Sequence, residues 1–294
     1  MDQGIVVKIH SNYYYVVREN VVIECFLRGK FRRQRIQPLV GDRVKFSLTG
    51  ENTGVIEEIL PRESELRRPP VANLNQVVVV FSLTTPDPNW LLFDRFLVLA
   101  EHARLDVLIC FNKVDLLEKD KWLQDNQADI YEKIGYQVIY CSTKKNIGIE
   151  ELKSSLKDKI SVFAGPSGVG KSALLNTIQP GLRLKTGELS EKIQRGKHTT
   201  RHVELIKLEF GGLVVDAPGF SYLVLEEIEQ EELTSLFPEI EEASCDCRYS
   251  PCFHWKESSC GVKKQVEAGA ISERRYQHYL KFLAEITDKR GGKR

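Results

Sequence analysis

No stretch of this 294-residue sequence is apolar over the ~20 residues that a membrane-spanning helix requires, so no membrane association is expected. The opening Met1-Asp2-Gln3-Gly4 lacks the basic-then-apolar layout of a secretion signal, and a cytoplasmic protein is the expectation. Internal repeats and low-complexity tracts are absent, which sets aside solenoids and repeat arrays. An even set of cysteines is also missing. Seven thiols without a secretion signal do not form a disulfide scaffold. Net charge is close to absent at +1, but its distribution is uneven. No base occurs between Glu226 and Glu242, where eight Glu stand. Conversely, Arg28, Lys30, Arg32, Arg33, Arg35, Arg43 and Lys45 are opposed only by Asp42. The tail beyond Gly261 turns basic again, and basic blocks at both ends point to a polyanionic partner.

What is present describes an ordinary globular chain, 42% apolar and 28% charged, long enough for two or three domains. Residues 1–68 read as short strands rich in β-branched and aromatic residues, broken at Glu19-Asn20, Gly29, Gly41-Asp42 and Gly50-Glu51-Asn52. A small barrel of the oligonucleotide-binding (OB) type fits that spacing, with Tyr13, Tyr14, Tyr15 and Phe31 available to stack on RNA bases. Glu65 to Pro70 reads as a linker. Residues 69–222 alternate strand and helix text, beginning with the continuous apolar run Val77–Phe81, and predict a parallel α/β sheet covered on both faces. Residues 223–294 are helical apart from a Cys/His cluster.

The chemistry concentrates in three places. Gly165-Pro166-Ser167-Gly168-Val169-Gly170-Lys171-Ser172 is a P-loop, preceded by the apolar strand Ile160–Ala164 and followed by helical text. Its glycines let backbone N–H groups face phosphate oxygens at a helix N-terminus. Lys171 is expected to reach the β- and γ-phosphates and Ser172 to bind Mg²⁺. Asn112-Lys113-Val114-Asp115 closes the strand Val107–Phe111, on the rim where α/β sheets bind ligands. It resembles the guanine-reading element of P-loop GTPases, in which the Asp carboxylate accepts from both the ring N–H and the exocyclic amine. Cys141-Ser142-Thr143-Lys144 resembles the second base-contacting loop, usually Ser-Ala-Lys, with Thr143 a departure.

Asp216-Ala217-Pro218-Gly219 resembles the D-x-P-G element that senses the γ-phosphate, with Asp216 and Gly219 at the nucleotide. Gly196 to His202 resembles switch I. Thr200 is preferred over Thr199 for the Mg²⁺ shell. Where many GTPases carry a Gln after the switch II glycine, Phe220 stands here, so His198 is the candidate to position the attacking water. The motif order is inverted: both base-reading elements precede the P-loop. That is a circular permutation, and it leads the exit of the γ-phosphate sensor directly into the C-terminal domain.

Cys247-x4-Cys252-x-His254-x5-Cys260 offers three thiolates and an imidazole within fourteen residues. This donor set suits one structural, tetrahedral Zn²⁺, with Cys245 a spare ligand. Arg274, Arg275, Lys281, Lys289 and Arg290 are expected to face outward from the following helices. Cys25, Cys110 and Cys141 read as reduced core residues.

A basic barrel, a permuted GTPase and a C-terminal Cys/His knuckle together resemble the ribosome small subunit-dependent GTPase A family of bacteria, over essentially the whole chain. The resemblance implies a monomeric protein that binds the small (30S) ribosomal subunit late in its maturation, contacts 16S rRNA, binds GTP and GDP, and hydrolyses GTP when docked. Ala217 and Thr143 are the departures from the family pattern. A GTP-dependent factor that modifies RNA or serves translation on another RNA is the alternative, and a non-catalytic adaptor for a protein partner is a third reading.

Overall fold

The computed structural model describes residues 1–29, 31, 36–67, 70–117, 126–182, 203–216, 225 and 228–291. Among these, no helix is long and apolar enough to cross a membrane.

Five strands close an N-terminal barrel: β1 (Asp2–His10), β2 (Tyr13–Arg18), β3 (Val21–Leu27), β4 (Arg43–Leu48) and β5 (Thr53–Ile59). They run in the order β1-β2-β3-β5-β4, and β4 returns to pair with β1. Alternating side chains turn inward, and Val6, Val16, Ile23, Cys25, Val44, Phe46 and Ile56 fill the lumen. Phe31 joins that core at 6% exposure, so it is not the stacking aromatic that the sequence suggested. It follows a strand whose inner face is already apolar, and burying a phenyl ring outweighs leaving it on a basic surface. Tyr13 stays exposed and pairs across the strands with Phe26, ring centroids 4.9 Å apart.

The stretch read as a linker instead contributes β6 (Glu65–Arg67), paired antiparallel with β7 (Pro70–Ala72). Pro70 opens its strand, a position where the missing N–H costs no ladder bond.

Beyond it lies a sheet of β8 (Gln76–Ser82), β9 (Asp106–Asn112), β10 (Gln137–Cys141), β11 (Ile160–Ala164), β12 (Glu204–Lys207) and β13 (Leu213–Asp216). The order is β10-β9-β8-β11-β13-β12, all parallel except β12. Both faces are covered, which is why β8 is an unbroken apolar run. Val77, Val79 and Phe81 pack towards α1 (Trp90–His102) and α2 (Asn126–Ile134). Val78 and Val80 pack towards α3 (Ile149–Leu156) and α4 (Lys171–Ile178). The chain enters this sheet at its centre, runs outward through β9 to β10, then returns to β11 beside β8. The β8/β11 crevice is therefore the topological switch point, where ligands bind at the carboxyl ends of strands.

The barrel is joined to this sheet. β1 also pairs with β12 at Lys8–Glu204, where Lys8 Nζ meets the carboxylate at 2.9 Å.

C-terminal helices α5 (Pro238–Ser244), α6 (Gly261–Glu267) and α7 (Glu273–Gly291) pack against the outer side of α1, with Phe237, Ile240, Tyr279 and Phe282 around Val98. Arg275 does not face outward, as its charge had suggested. It is fully buried, donating to Asp94 of α1 at 2.8 Å and, through two nitrogens, to Glu239 at 2.7 and 3.0 Å. Asp94 also accepts from Tyr131 at 2.8 Å and meets His278 Nδ1 at 2.5 Å. Pairing removes the objection to burying the charge.

Candidate nucleotide site and metal centre

The phosphate loop springs from the carboxyl end of β11. Gly165 has φ +134°, and a Cβ there would lie 2.1 Å from the Val80 carbonyl oxygen of the neighbouring strand. Gly170 has φ +97°, and its Cβ would lie 2.4 Å from Asn112 Nδ2. Only glycine lets the loop turn this tightly beside β8 and the Asn112 loop. Val169 points into the core, Ser172 is buried at the first turn of α4, and Pro166, Ser167 and Gly168 complete the turn. Lys171 is 8% exposed and its Nζ donates to the Gly165 and Pro166 carbonyls, each at 2.7 Å. Burial pushes its ammonium down to about 8, so an arriving anion meets a poorly solvated cation.

The second loop leaves β9 two strands away. Asn112 Nδ2 donates to the Val169 carbonyl at 2.9 Å, tying this loop to the phosphate loop. Lys113 adopts φ +66°, which turns its side chain back until Nζ reaches the Thr85 carbonyl at 2.9 Å. Val114 is buried beneath a single 3₁₀ turn that presents Asp115. Asp115 accepts from Ser142 Oγ at 2.7 Å, and that hydroxyl accepts in turn from Lys145 N at 3.1 Å. Ser142 and Ile147 exchange backbone bonds of 3.1 Å, closing the loop after β10. Asp216 ends β13 on the same edge of the sheet. The glycine loop with its buried lysine and the loop that carries the Asp115 carboxylate are thus tied together at one crevice, an arrangement able to hold a nucleoside phosphate and read its base.

In the C-terminal region, the ligand atoms of Cys247, Cys252, His254 and Cys260 lie within 4.8 Å of one another and could hold a metal ion. Cys247 Sγ is 3.5 Å from His254 Nδ1 and 3.8 Å from Cys260 Sγ, and His254 Nδ1 is 3.4 Å from Cys260 Sγ. Burial pushes the Cys252 thiol up to about 12 and lowers His254, leaving a neutral imidazole ready to ligate. Cys245 is exposed and outside the cluster.

The family model described as RsgA GTPase matches residues 59–226, and the RsgA N-terminal domain matches residues 3–56. The chain belongs to the RsgA GTPase family. Among its relatives, a small ribosomal subunit biogenesis GTPase RsgA from Alkaliphilus metalliredigens is 49% identical, with 99% of each chain covered. Another of that name, from Geobacillus thermodenitrificans, is 47% identical, again over 99% of each. Among solved structures, YjeQ from Thermotoga maritima superposes with a TM-score of 0.85 at 43% identity, covering 97% of this chain and 98% of that one. YloQ, described as a circularly permuted GTPase, does so at 0.83 and 42%, covering 98% and 95%.

As an RsgA-family member the chain is a GTPase, and the inverted motif order is the permutation its neighbour's description names. Thr85 was not foreseen. It contributes a backbone carbonyl, for which no side-chain pattern exists. Ser82, which accepts from the N–H groups of Thr84 and Thr85 at 3.2 and 3.1 Å, was findable as the polar end of the strand next to β11. His198, Thr199, Thr200, Ala217, Gly219 and Phe220 lie outside the described residues.

Proposed function

We propose that this chain is a GTP-hydrolysing biogenesis factor of the small (30S) ribosomal subunit, acting late in its maturation and switched by docking on 16S rRNA. The single observation that carries the nucleotide half is the Asn112–Val169 bond, which ties a base-reading loop to a phosphate-binding loop at one switch point. The relatives' shared name, over their whole length, supports the ribosomal half. In this reading Gly165 to Ser172 bind the phosphates and Lys171 contacts the transferred group. Asn112, Lys113, Val114, Asp115 and Ser142 hold guanine. Asp216 and Gly219 sense the γ-phosphate.

Mg²⁺ bound with GTP supplies charge neutralisation, and Ser172 and Thr200 are the residues to hold it. Phe220 has no polar group for a water, which leaves His198 to position the nucleophile. The Cys/His cluster is assigned to structural zinc. A tetrahedron with Zn–S of about 2.3 Å and Zn–N of about 2.0 Å has S···S edges of about 3.8 Å and S···N edges of about 3.5 Å. Separations of 3.8, 3.5 and 3.4 Å fit it. The functional units are 1–68, 69–222 and 223–294, in a cytoplasmic monomer.

GTP turnover measured alone, with isolated small subunits, and with large subunits or tRNA tests this. Slow turnover raised only by small subunits is expected. His198→Ala is expected to lose roughly 10²–10⁴-fold of the stimulated rate with GTP affinity retained. Stimulation by tRNA instead would move the chain to another RNA, and fast unstimulated turnover would end the partner requirement.

A further inference from the structure

The loop that carries the metal-ligand cluster turns two aromatic side chains outward. Trp255 is 56% exposed and Tyr249 48%, among the largest exposed apolar groups of the described residues. Exposing an indole leaves a large apolar area in water, of which a contact with Lys256 covers only part. The loop is nonetheless built to do so. His254 sits 1% exposed with φ +56°, which turns the chain so that the next residue leaves the core. Glu257 accepts from the N–H groups of both Phe253 and Trp255 at 2.9 Å, fixing the turn from outside. Tyr276 donates to the His254 carbonyl at 2.6 Å, fixing it from inside. Arg248 N donates to Ser259 O at 3.2 Å, so the arm bearing Tyr249 is tied to the returning arm.

Each exposed ring has a cation next to it in sequence. Lys256 Nζ lies 4.0 Å from the Trp255 ring centroid, and Arg248 Cζ lies 5.8 Å from that of Tyr249. The one acidic side chain of this turn, Glu257, has both carboxylate oxygens engaged by backbone donors. We propose that Trp255 with Lys256, and Tyr249 with Arg248, form a platform on which unpaired bases of single-stranded RNA stack while the cations meet the flanking phosphates. The inference deepens the proposed rRNA contact and rests on it. A flat ring beside a positive charge, used twice, matches the alternation of base and phosphate along an RNA strand. Trp, Tyr and Arg also anchor protein interfaces, so a protein partner is the competing occupant that the test must separate; the lysine beside Trp255 favours RNA. Rigid presentation also matters: a turn already fixed loses little freedom when a base stacks on it.

The test uses the full chain, binding in parallel to isolated small subunits and to a short unpaired oligoribonucleotide over a range of salt. Trp255→Ala is expected to weaken oligonucleotide binding by roughly 5- to 150-fold, the range of a lost base–aromatic stack, without changing the slope of log affinity against log salt. Lys256→Ala should instead make that slope shallower by about one, as one phosphate contact is lost. Trp255→Phe keeps a π-face and should retain most of the binding, with melting and bound-metal content as the fold controls. Affinity of Trp255→Ala equal to wild type overturns the platform, as does Trp255→Phe binding no better than alanine. Loss of subunit binding with oligonucleotide binding intact marks a contact to ribosomal protein and also overturns it. Trp255-dependent oligonucleotide binding without any subunit binding keeps the platform and removes the ribosomal reading. Binding to neither RNA removes both.

Discussion

Arg275→Met is the most informative single change to the architecture. The guanidinium and Asp94 are both 0% exposed, 181 positions apart in sequence, and join the C-terminal helix to α1 of the GTPase sheet. Removing Arg275 leaves Asp94 with Tyr131 and His278 as donors, while Glu239, 12% exposed, keeps some access to water. Breaking a buried pair by deleting one partner costs about 3–5 kcal/mol, and two remaining donors place this case near about 3 kcal/mol. At about 4–8 °C per kcal/mol for a unit of this size, the transition that releases the C-terminal helices should fall by roughly 12–24 °C. Calorimetry with limited proteolysis reads that transition separately, which a multidomain chain requires.

The acid side supplies a second signature. Burial alone would raise the Asp94 carboxyl, but Arg275 and His278 reverse this and hold it below the usual carboxylate range. Its native form therefore binds fewer protons than its unfolded form near pH 4. The pair contributes fully above that range, and the contribution is lost as pH falls through the lowered value. Arg275→Met should flatten this part of the acid limb. The double variant Asp94→Asn/Arg275→Met should recover part of the loss, because a buried pair removed together leaves no stranded charge. Wild-type melting in Arg275→Met, or strictly additive losses in the double variant, would refute the assignment.

Three further outcomes are expected. Asp115→Asn puts a donor where guanine needs an acceptor, so GTP affinity should fall by up to ~10⁴-fold while xanthosine triphosphate binding rises, as nucleotide titration will read. Lys171, lowered to about 8 by burial when free, must be charged to hold phosphate, so GTP affinity should be highest near about pH 7, where the terminal phosphate is ionised, and fall as pH rises through about 8; an affinity constant from about pH 7 to 9 would contradict this. Cys252→Ala or His254→Ala should abolish stoichiometric zinc and open the C-terminal region to protease, with GTP binding at Lys171 intact; metal analysis of the purified wild type without zinc would remove the premise.

The parts legible in the sequence were those whose chemistry and local pattern coincide. Gly165 to Ser172 could be placed because strand, glycine turn and helix follow one another within a few residues. Val77–Phe81 could be placed because burial on both faces leaves an unbroken apolar run. Arg275 escaped because its burial depends on Asp94 and Glu239, which no local window contains. A trace was present nonetheless: Arg275, Tyr279, Phe282 and Ile286 share one helical face, and three of the four are apolar core. Phe31 is ambiguous in sequence because a phenyl ring beside arginines suits either a stacking surface or a lumen. Thr85 left no trace at all, because it acts through its backbone.

The β1–β12 pairing has a consequence for how the chain is made. As synthesis proceeds from the N-terminus, the barrel can close once β5 has emerged, since among the described residues its five strands pair only with one another and with β12. The outer edge of β1 near Lys8, which β4 does not reach, then waits for Glu204, nearly two hundred residues later. During that interval the barrel carries an open strand edge, a template for pairing with another nascent chain. Lys8 and His10 at that edge are polar guards against it. A polypeptide truncated before β12 would keep a closed barrel and a permanently unpaired edge, and would be the more prone to aggregate for it.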